Sequence, residues 1–301
     1  MAGSSSPSPP LATPGALLGP AVVFTRLYGT ESMNRAVSGR RRVTRPSQFR
    51  GVIGFGVFLF LWEILPVAGF LPARYFPPFH EVVWALFLDF ASPVFWHSVA
   101  YTAQAWFAGL VIAFVAAAAV GLVLGSVPVL WRYTESTIEF LRPIPSVALI
   151  PLAVLMFGID IKSALLLIVY AAFWQILIQI LYGVKDVDPV ALDTARVYGL
   201  GRWSRIRHVS WPTALPYAIT GFRLGASVAL VLAVTAELVI GNPGIGHQVA
   251  LAQSAMALPE MYSLVIAAGI MGVLVNVLAR AIERKVLAWH PSVRADRQEA
   301  P

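Results

Sequence analysis

The sequence contains no cysteine and few charged residues. Of its 301 residues, 12% are charged and 58% are hydrophobic. A soluble domain carries about 25% charged residues, so this chain has too few to cover a water-exposed surface. The lack of cysteine excludes disulfides, thiol catalysis and cysteine-bound metals. Most of the protein surface is therefore expected to face lipid.

Lysine is also scarce, and neither of the two lysines follows a glycine. Ile161 precedes Lys162, and Val184 precedes Lys185. The phosphate-binding P-loop requires a Gly-Lys pair, so the sequence predicts no ATP site in this chain. The histidines are scattered without metal-ligand spacing, at His80, His97, His208, His247 and His290. No metal site, cofactor site or catalytic group is predicted, and the chain is not expected to be an enzyme.

Long apolar runs dominate the rest of the sequence. A membrane-spanning helix needs about 20 apolar residues, because a helix rises about 1.5 Å per residue across a hydrocarbon core of roughly 30 Å. The candidate spans are residues 51–70, 101–128, 136–158, 163–183, 213–240 and 261–288. Pro143, Pro145 and Pro151 are expected to kink or break the third of them. The sequence therefore predicts an all-α, polytopic bundle of about six transmembrane helices.

The basic residues in the loops and tails, together with those at the C-terminal end of the sixth span, predict the orientation of this bundle. Eighteen of them lie on one side, whereas only Arg74 and Lys162 lie on the other. Because basic loops stay in the cytoplasm, both termini are expected to be cytoplasmic, in a bacterial inner membrane. This distribution favours membrane topology over nucleic-acid binding as the reason for the net charge of +7. On the outer side, residues 71–100 are expected to form an amphipathic interfacial helix or merely to link two spans.

Composition divides the chain into three regions. Residues 1–50 are rich in Ser, Pro, Gly and Arg and are predicted to be a disordered cytoplasmic tail. Within them, Met33 opens an arginine-rich stretch, and we hypothesise that natural translation begins there. Residues 51–290 are predicted to be the transmembrane domain, and residues 291–301 a second disordered tail.

The longest predicted cytoplasmic loop, residues 184–212, carries the clearest local signals. Asp188 is a good helix N-cap, and Pro189 suits the first helical position. Gly199 and Gly201 are expected to supply a C-cap and a sharp turn, because glycine accepts positive φ without steric cost. The loop therefore predicts a helix that ends in a tight turn.

A second, basic helix is expected to follow this turn over residues 202–209 and to end at Pro212, ahead of the fifth span. The first helix presents Ala191 and Ala195 as a small-residue face. Two interpretations fit this helix–turn–helix: a docking surface for another protein, or a solvated interfacial loop. The small face and the basic second arm favour docking.

The same loop resembles the EAA loop of binding-protein-dependent ABC importer permeases. That pattern is E-A-A, three residues, G, nine residues, I, any residue, L-P. The matching positions in this chain are Asp193, Thr194, Ala195, Gly199, Val209, Ser210, Trp211 and Pro212. Both spacings match, and the departures are Asp for Glu, Thr for Ala, Val for Ile and Trp for Leu. Over roughly residues 100–290, which include GFRLG, AELV and GIGHQV, the chain is most similar to the nitrate, taurine and aliphatic-sulfonate type of permease.

The resemblance implies a mechanism and a set of partners. Two permease chains, identical or paralogous, would form the pathway, and an extracytoplasmic solute-binding protein would deliver the ligand. Each loop would insert into a separate ABC ATPase subunit, which binds ATP and Mg. The expected coupling residues are Asp193, Thr194, Ala195, Gly199, Gly201, Val209 and Pro212. The implied substrate is a small anion such as sulfonate, taurine or nitrate; a thiamine-precursor pyrimidine or an aromatic acid is the alternative.

Polar groups inside the spans are the candidates for the pathway or gate, because a charge at bilayer depth costs at least about 2.5–3.5 kcal/mol. Arg142 is expected either to pair with Glu139, three residues earlier, or to contact an anionic substrate. Gln175 and Gln179 share one helix face, where they either join helices or line the pathway. Glu237 is predicted to form a gate or an inter-subunit hydrogen bond.

Two other functions are weighed against import. An ion-coupled secondary transporter predicts a paired internal repeat and intramembrane acidic ion ligands. The sequence shows no convincing repeat, and such a transporter would not need the 184–212 loop. A membrane scaffold that transports nothing would not depend on an ATPase.

Overall fold

The computed structural model describes residues 48–288, with side chains from residue 51 onward. Within these residues all regular structure is helical. The expectations for the two tails fall on residues 1–47 and 289–301, outside the described residues. Among the described residues, those up to Phe58 belong to one unit and those from Leu59 onward to another. The functional features below all belong to the second unit.

Helices follow one another along the described chain with short connections. They are α1 (Gln48–Val67), α2 (Phe79–Ala91), α3 (Pro93–Ser126), α4 (Pro128–Leu141), α5 (Ile150–Phe157), α6 (Ile161–Lys185), α7 (Pro189–Val197), α8 (Arg202–Arg205), α9 (Trp211–Ile240), α10 (Ile245–Ser254) and α11 (Leu258–Val286). A 3₁₀ turn, Ser146–Leu149, precedes α5, and a π-helical turn, Ile206–Ser210, joins α8 to α9.

In the part of the chain that is described, four helical stretches are long and apolar enough to cross a membrane. They are α3, α6, Arg202–Ile240 and α11. The apolar stretch Gly51–Val67 of α1 is shorter. These helices confirm an all-α, polytopic membrane protein, whereas the exact number of six spans stays a prediction.

The predicted third span is not a single helix. Helix α4 and the segment Ser146–Phe157 meet at 85°, so together they form either a broken span or a re-entrant loop. Pro143 and Pro145 lie at the bend, where each removes a backbone N–H donor and crowds the preceding turn. The predicted break at these prolines is therefore confirmed, as two short helices around a sharp corner, whereas a single span over residues 136–158 stays a prediction.

Helix α6 packs between α3 and α9 and forms the centre of the bundle. Glycines in both neighbours allow this close approach: a Cβ added at Gly121 of α3 would overlap Ile180, and one at Gly225 of α9 would press on Ile176. Both isoleucines are fully buried. Helices in lipid associate through such close packing at small residues, so α3, α6 and α9 form a tight three-helix core.

The predicted helix–turn–helix is present, but its second arm does not end at Pro212. Arg202–Ile240 forms one 39-residue helix that runs through Pro212. The N–H of Trp211 bonds to the carbonyl of Ile206, five residues earlier. This widened π turn precedes Pro212, which lies in the first turn of α9. A proline is tolerated there although it has no backbone N–H. The expected helix end at Pro212 is therefore wrong.

The external segment of residues 71–100 contains the helix α2. Trp84, Phe87 and Leu88 of this helix are exposed. Trp96 lies in α3 instead, and its indole N–H donates to the carbonyl of Phe90 at 2.9 Å. The exposed aromatic and apolar side chains agree with an amphipathic helix at a membrane interface, which stays a prediction.

Candidate functional site

The predicted capping signals of the 184–212 loop are confirmed. The carboxylate of Asp188 accepts a hydrogen bond from the N–H of Val190 at 2.8 Å, and Pro189 is the first residue of α7. Such an N-cap satisfies a backbone donor that has no partner within the helix. The start of α7 is therefore fixed by local chemistry.

The turn after α7 is made by Gly199, which has a φ of +74°. The N–H of Leu200 donates to the carbonyl of Ala195 at 3.0 Å, and the N–H of Gly199 donates to that of Arg196 at 2.9 Å. This pair of bonds is the Schellman motif. Gly201, in contrast, has a φ of −62°, so the positive-φ turn requires glycine at residue 199 and not at residue 201.

The predicted coupling residues do not all face the same way. Asp193 and Thr194 are exposed, and Asp193 forms an exposed ion pair with Arg196 at 2.6 Å. Ala195 is only 8% exposed, whereas Ala191 is exposed. The predicted small-residue face is therefore split, because Ala195 packs inward. Val209 and Pro212 are half-buried, at the π turn and the start of α9.

Large apolar side chains are exposed on the same loop, and the sequence analysis missed them. Val197 is 87% exposed, Tyr198 80% and Trp203 75%. They flank the Gly199 turn, where α7 ends and α8 begins. An exposed apolar patch of this kind is typical of a surface that binds another protein or a membrane.

The loop is held firmly where it joins the three-helix core. The hydroxyl of Tyr217 in α9 donates to the carboxylate of Asp186, directly after α6, at 2.8 Å. Close by, a Cβ added at Gly183 would overlap the backbone of Ala214. These contacts join the two ends of the loop to each other at the base of α6 and α9.

A cavity of about 650 Å³ lies between α4, the bend that follows it, and α6. Arg142 and Gln175 both line this cavity and are both exposed. Gln179 does not line it, because its side chain packs against Gly221 of α9. The structure therefore brings two of the predicted pathway residues together and assigns Gln179 to a contact between helices.

The expected pairing of Arg142 with Glu139 is not formed. Both side chains line the cavity, but neither takes part in the ion pairs found within residues 51–288. At the α6 end of the cavity, the ammonium of Lys185 lies 3.8 Å from the centre of the Trp131 ring. This cation–π contact joins α6 to α4.

Glu237 is buried and bonded within the chain. Its Oε2 atom accepts hydrogen bonds from the hydroxyl of Thr102 in α3 at 2.9 Å and from the N–H of Gly246 in α10 at 3.0 Å. The Thr102 hydroxyl in turn accepts a bond from the N–H of Ile245 at 3.0 Å. These bonds join α3, α9 and α10 within a single chain, whereas the predicted gate and inter-subunit roles stay predictions. Thr102 was not found from the sequence, because no local pattern marks it.

The long apolar helices, the capped and exposed loop and the cavity together describe a polytopic membrane protein. Residues 109–287, which are more than half of the chain, match the family model described as "Binding-protein-dependent transport system inner membrane component". The protein belongs to this family. It is a multi-pass inner-membrane permease subunit of an ABC importer and not an enzyme, and such importers include ATPase and binding-protein components.

Curated relatives agree with this assignment. The chain is 30% identical over 244 residues to the taurine transport system permease protein TauC of Escherichia coli, covering 79% of this chain and 88% of the relative. It is 28% identical to the putative aliphatic sulfonates transport permease protein SsuC of Bacillus subtilis, covering 86% and 92%. It is 26% identical to the nitrate import permease protein NrtB of Leptolyngbya laminosa, covering 85% and 98%.

Solved structures show the same fold. One is the MetNI methionine ABC transporter in inward-facing conformations, with a TM-score of 0.54 and 19% identity, covering 64% of this chain and 96% of that chain. Another is a bacterial ABC transporter for the acidic polysaccharide alginate, with a TM-score of 0.56 and 14% identity, covering 79% and 95%. At these identities the likeness concerns the fold alone.

Proposed function

We propose that this permease imports a small anion such as a sulfonate, taurine or nitrate, driven by ATP hydrolysis on a separate ABC ATPase. The relatives named for taurine, aliphatic sulfonates and nitrate support this substrate class. A thiamine-precursor pyrimidine or an aromatic acid is the alternative. The observation that carries the coupling proposal is the 184–212 loop, which is capped, exposed at its tip and anchored at both ends.

In this proposal the tip of the loop binds the ATPase. Asp193 and Thr194 on α7 and the exposed Val197, Tyr198 and Trp203 form the contact surface. The Gly199 turn sets the angle between the two arms, while Ala195, Val209 and Pro212 hold the loop against the bundle. Nucleotide binding shifts the ATPase between two states, and the anchored ends pass this movement to α6 and α9 as a rigid-body rotation.

The same proposal also assigns the orientation of the bundle, the second permease chain and the residues that contact the substrate. The basic loops lie in the cytoplasm together with both termini, so the loop faces the ATPase and the α10 side faces the solute-binding protein. A second permease chain, identical or paralogous, completes the pathway. Arg142 and Gln175 contact the anion in the cavity, and the bonds of Glu237 hold the external end of the bundle closed.

The test is to purify the full chain from its native membrane with its bound proteins and to measure anion uptake in parallel. Wild type should retain an ABC ATPase. Gly199→Val should lose it, because a β-branched residue is strained at a φ of +74°, and Asp193→Lys should lose it by reversing a charge at the contact. Both variants should still insert into the membrane, since both positions are exposed.

The matched control is Gly199→Asn. Asparagine tolerates the left-handed region, and a side chain at this position meets open space. This variant should keep both the ATPase and the uptake. Recovery of the wild-type chain without any ATPase, or full uptake by Gly199→Val, would contradict the coupling proposal.

A further inference from the structure

Three cationic side chains are exposed in the last two turns of α11. They belong to Arg280, Arg284 and Lys285, and within residues 51–288 none of them forms an ion pair. The Nε atoms of the two arginines donate at 3.4 Å to the amide oxygen of Asn276 and to the carbonyl of Arg280, respectively. Their terminal nitrogens bond to no acceptor in the same part of the chain, so they are available for an anionic ligand.

The carboxylate nearest to these cations along the helix does not neutralise them. After Glu260 at its first turn, α11 contains a single acidic residue, Glu283. The Glu283 carboxylate accepts a hydrogen bond from the guanidinium of Arg223 in α9 at 2.9 Å, and the two groups form an ion pair. The end of α11 therefore presents an excess of positive charge on its exposed face.

The same face is apolar on the N-terminal side of the cations. Residues three, four or seven positions apart share one side of a helix, so two adjacent stripes run along this face. Each begins with apolar side chains that are more than half exposed and ends with cations. One stripe contains Val273, Val277, Arg280 and Arg284, and the other contains Leu274, Leu278 and Lys285.

The cations also lie at the depth of the lipid headgroups. Arg280 follows Leu258, the first residue of α11, by 22 positions, which is about 33 Å along a helix that rises 1.5 Å per residue. The hydrocarbon core of a bilayer is roughly 30 Å thick. A helix that enters the core near Leu258 thus leaves it near Arg280, so the apolar stripes lie beside acyl chains and the cations beside phosphates.

A second copy of this chain fits this face less well than a lipid does. In a symmetric dimer the same patch of each copy meets its equivalent, so three cations would face three cations and repel one another. An anionic phospholipid supplies acyl chains for the apolar part and a phosphate for the basic part. Guanidinium groups bind phosphate with short, charge-assisted hydrogen bonds, and clusters of basic residues at the end of a membrane helix attract anionic lipids.

We infer that the C-terminal end of α11 binds one anionic phospholipid. Arg280 and Arg284 hold its phosphate, Lys285 adds electrostatic attraction, and the acyl chains lie along the two apolar stripes. In the predicted orientation this lipid belongs to the cytoplasmic leaflet. The inference goes beyond the import proposal and depends neither on the solute nor on the ATPase.

The test counts lipids bound to the full chain, purified in detergent from its native membrane with the proteins that stay attached. The stripped protein is titrated with phosphatidylglycerol or with phosphatidylcholine of the same acyl chains, and native mass spectrometry resolves each bound lipid. The first phosphatidylglycerol should bind at least about tenfold more tightly than the first phosphatidylcholine. Equal affinity for the two lipids overturns the inference.

Variants assign the binding to these side chains. Arg280→Gln/Arg284→Gln should weaken phosphatidylglycerol binding by about 30-fold, since each cation near the membrane surface contributes a factor of about five. Arg280→Lys/Arg284→Lys keeps both charges and should keep most of the preference. The matched control is Arg132→Gln/Arg207→Gln, which removes two exposed cations outside α11 and should leave the preference unchanged. An equal loss in the control would mean that net charge alone attracts the lipid, and the inference would fail.

Two further outcomes separate the lipid from other ligands of the same face. Inorganic phosphate at about 10 mM should not displace phosphatidylglycerol, because it lacks the acyl chains that the apolar stripes bind. Displacement would show a site for a free phosphate ion and would overturn the lipid assignment. If Arg280→Gln/Arg284→Gln keeps the lipid preference but changes the number of permease chains in the complex, the face is an interface between copies and the inference fails.

Discussion

The Glu237 carboxylate and the Thr102 hydroxyl lie 2.9 Å apart, although 135 residues separate them in the chain. Through this pair the first backbone donors of α10 are satisfied, because Gly246 donates to Glu237 and Ile245 donates to Thr102. The N-terminal N–H groups of a helix have no partner within the helix, and a carboxylate there also complements the helix dipole. Glu237 thus fixes α10 to both α3 and α9.

Glu237→Ala should destabilise the protein by about 3 kcal/mol, since it leaves buried donors unpaired and opens a cavity. Glu237→Gln should cost less, about 1 kcal/mol, because the amide oxygen still accepts hydrogen bonds. Denaturant or thermal unfolding in detergent measures both changes. Equal stability of wild type and Glu237→Ala would show that these bonds do not hold α10.

Gly244→Ala should be among the most damaging small substitutions in this region. A Cβ there would overlap the Glu237 carboxyl group, and the φ of +147° at this residue is open mainly to glycine. We expect a loss of about 2–4 kcal/mol from the overlap and the strain together. Gly269→Ala in α11 is the matched control, because its Cβ meets open space. The control should keep or slightly raise the unfolding temperature, since alanine favours helix.

Features fixed by neighbouring residues were predicted well from the sequence. The Asp188 cap, Pro189 at the first helical position and the Gly199 turn each depend on a few adjacent residues, and all three are confirmed. The apolar runs at residues 163–183 and 213–240 also predicted the long helices α6 and α9. Local chemistry and hydropathy are sufficient for such features.

Features that depend on distant contacts were not predicted. The sequence predicted a kink or break near Pro143 but not its angle of 85°, and it wrongly ended a helix at Pro212. The reason is that tertiary packing decides whether a proline ends, bends or joins a helix. Glu139 and Arg142 have the spacing of an ion pair, but both side chains line a cavity instead. Thr102 is marked by nothing in its own sequence neighbourhood, so its bond to Glu237 required the structure.

The glycine contact between α3 and α6 predicts a coupled pair of substitutions. A Cβ at Gly121 would lie 2.8 Å from the Cγ2 atom of Ile180, so Gly121→Ala should cost about 1–3 kcal/mol through overpacking. Ile180→Ala alone should cost about 2–5 kcal/mol, because it opens a cavity in the core.

The double variant Gly121→Ala/Ile180→Ala should lose less stability than the sum of the two single changes, by at least about 0.5 kcal/mol. The new methyl group occupies space that the isoleucine vacates. Unfolding of the four proteins in one detergent gives this coupling energy. Strict additivity would mean that the two helices do not meet as closely as the structure shows.

The ion pair of Arg223 and Glu283 joins α9 to α11 at 2.9 Å, with side-chain exposures of 39% and 21%. Arg223→Ala leaves a half-buried carboxylate unpaired, so a loss of about 1–2 kcal/mol is expected, less than for a fully buried pair because water screens part of the charge. The exchange Arg223→Glu with Glu283→Arg should recover part of that loss. Arg196→Ala is the control, because its pair with Asp193 is largely exposed and should contribute under about 0.5 kcal/mol. If Arg223→Ala and Arg196→Ala shift the unfolding temperature equally, the pair of α9 and α11 contributes no more than a surface contact.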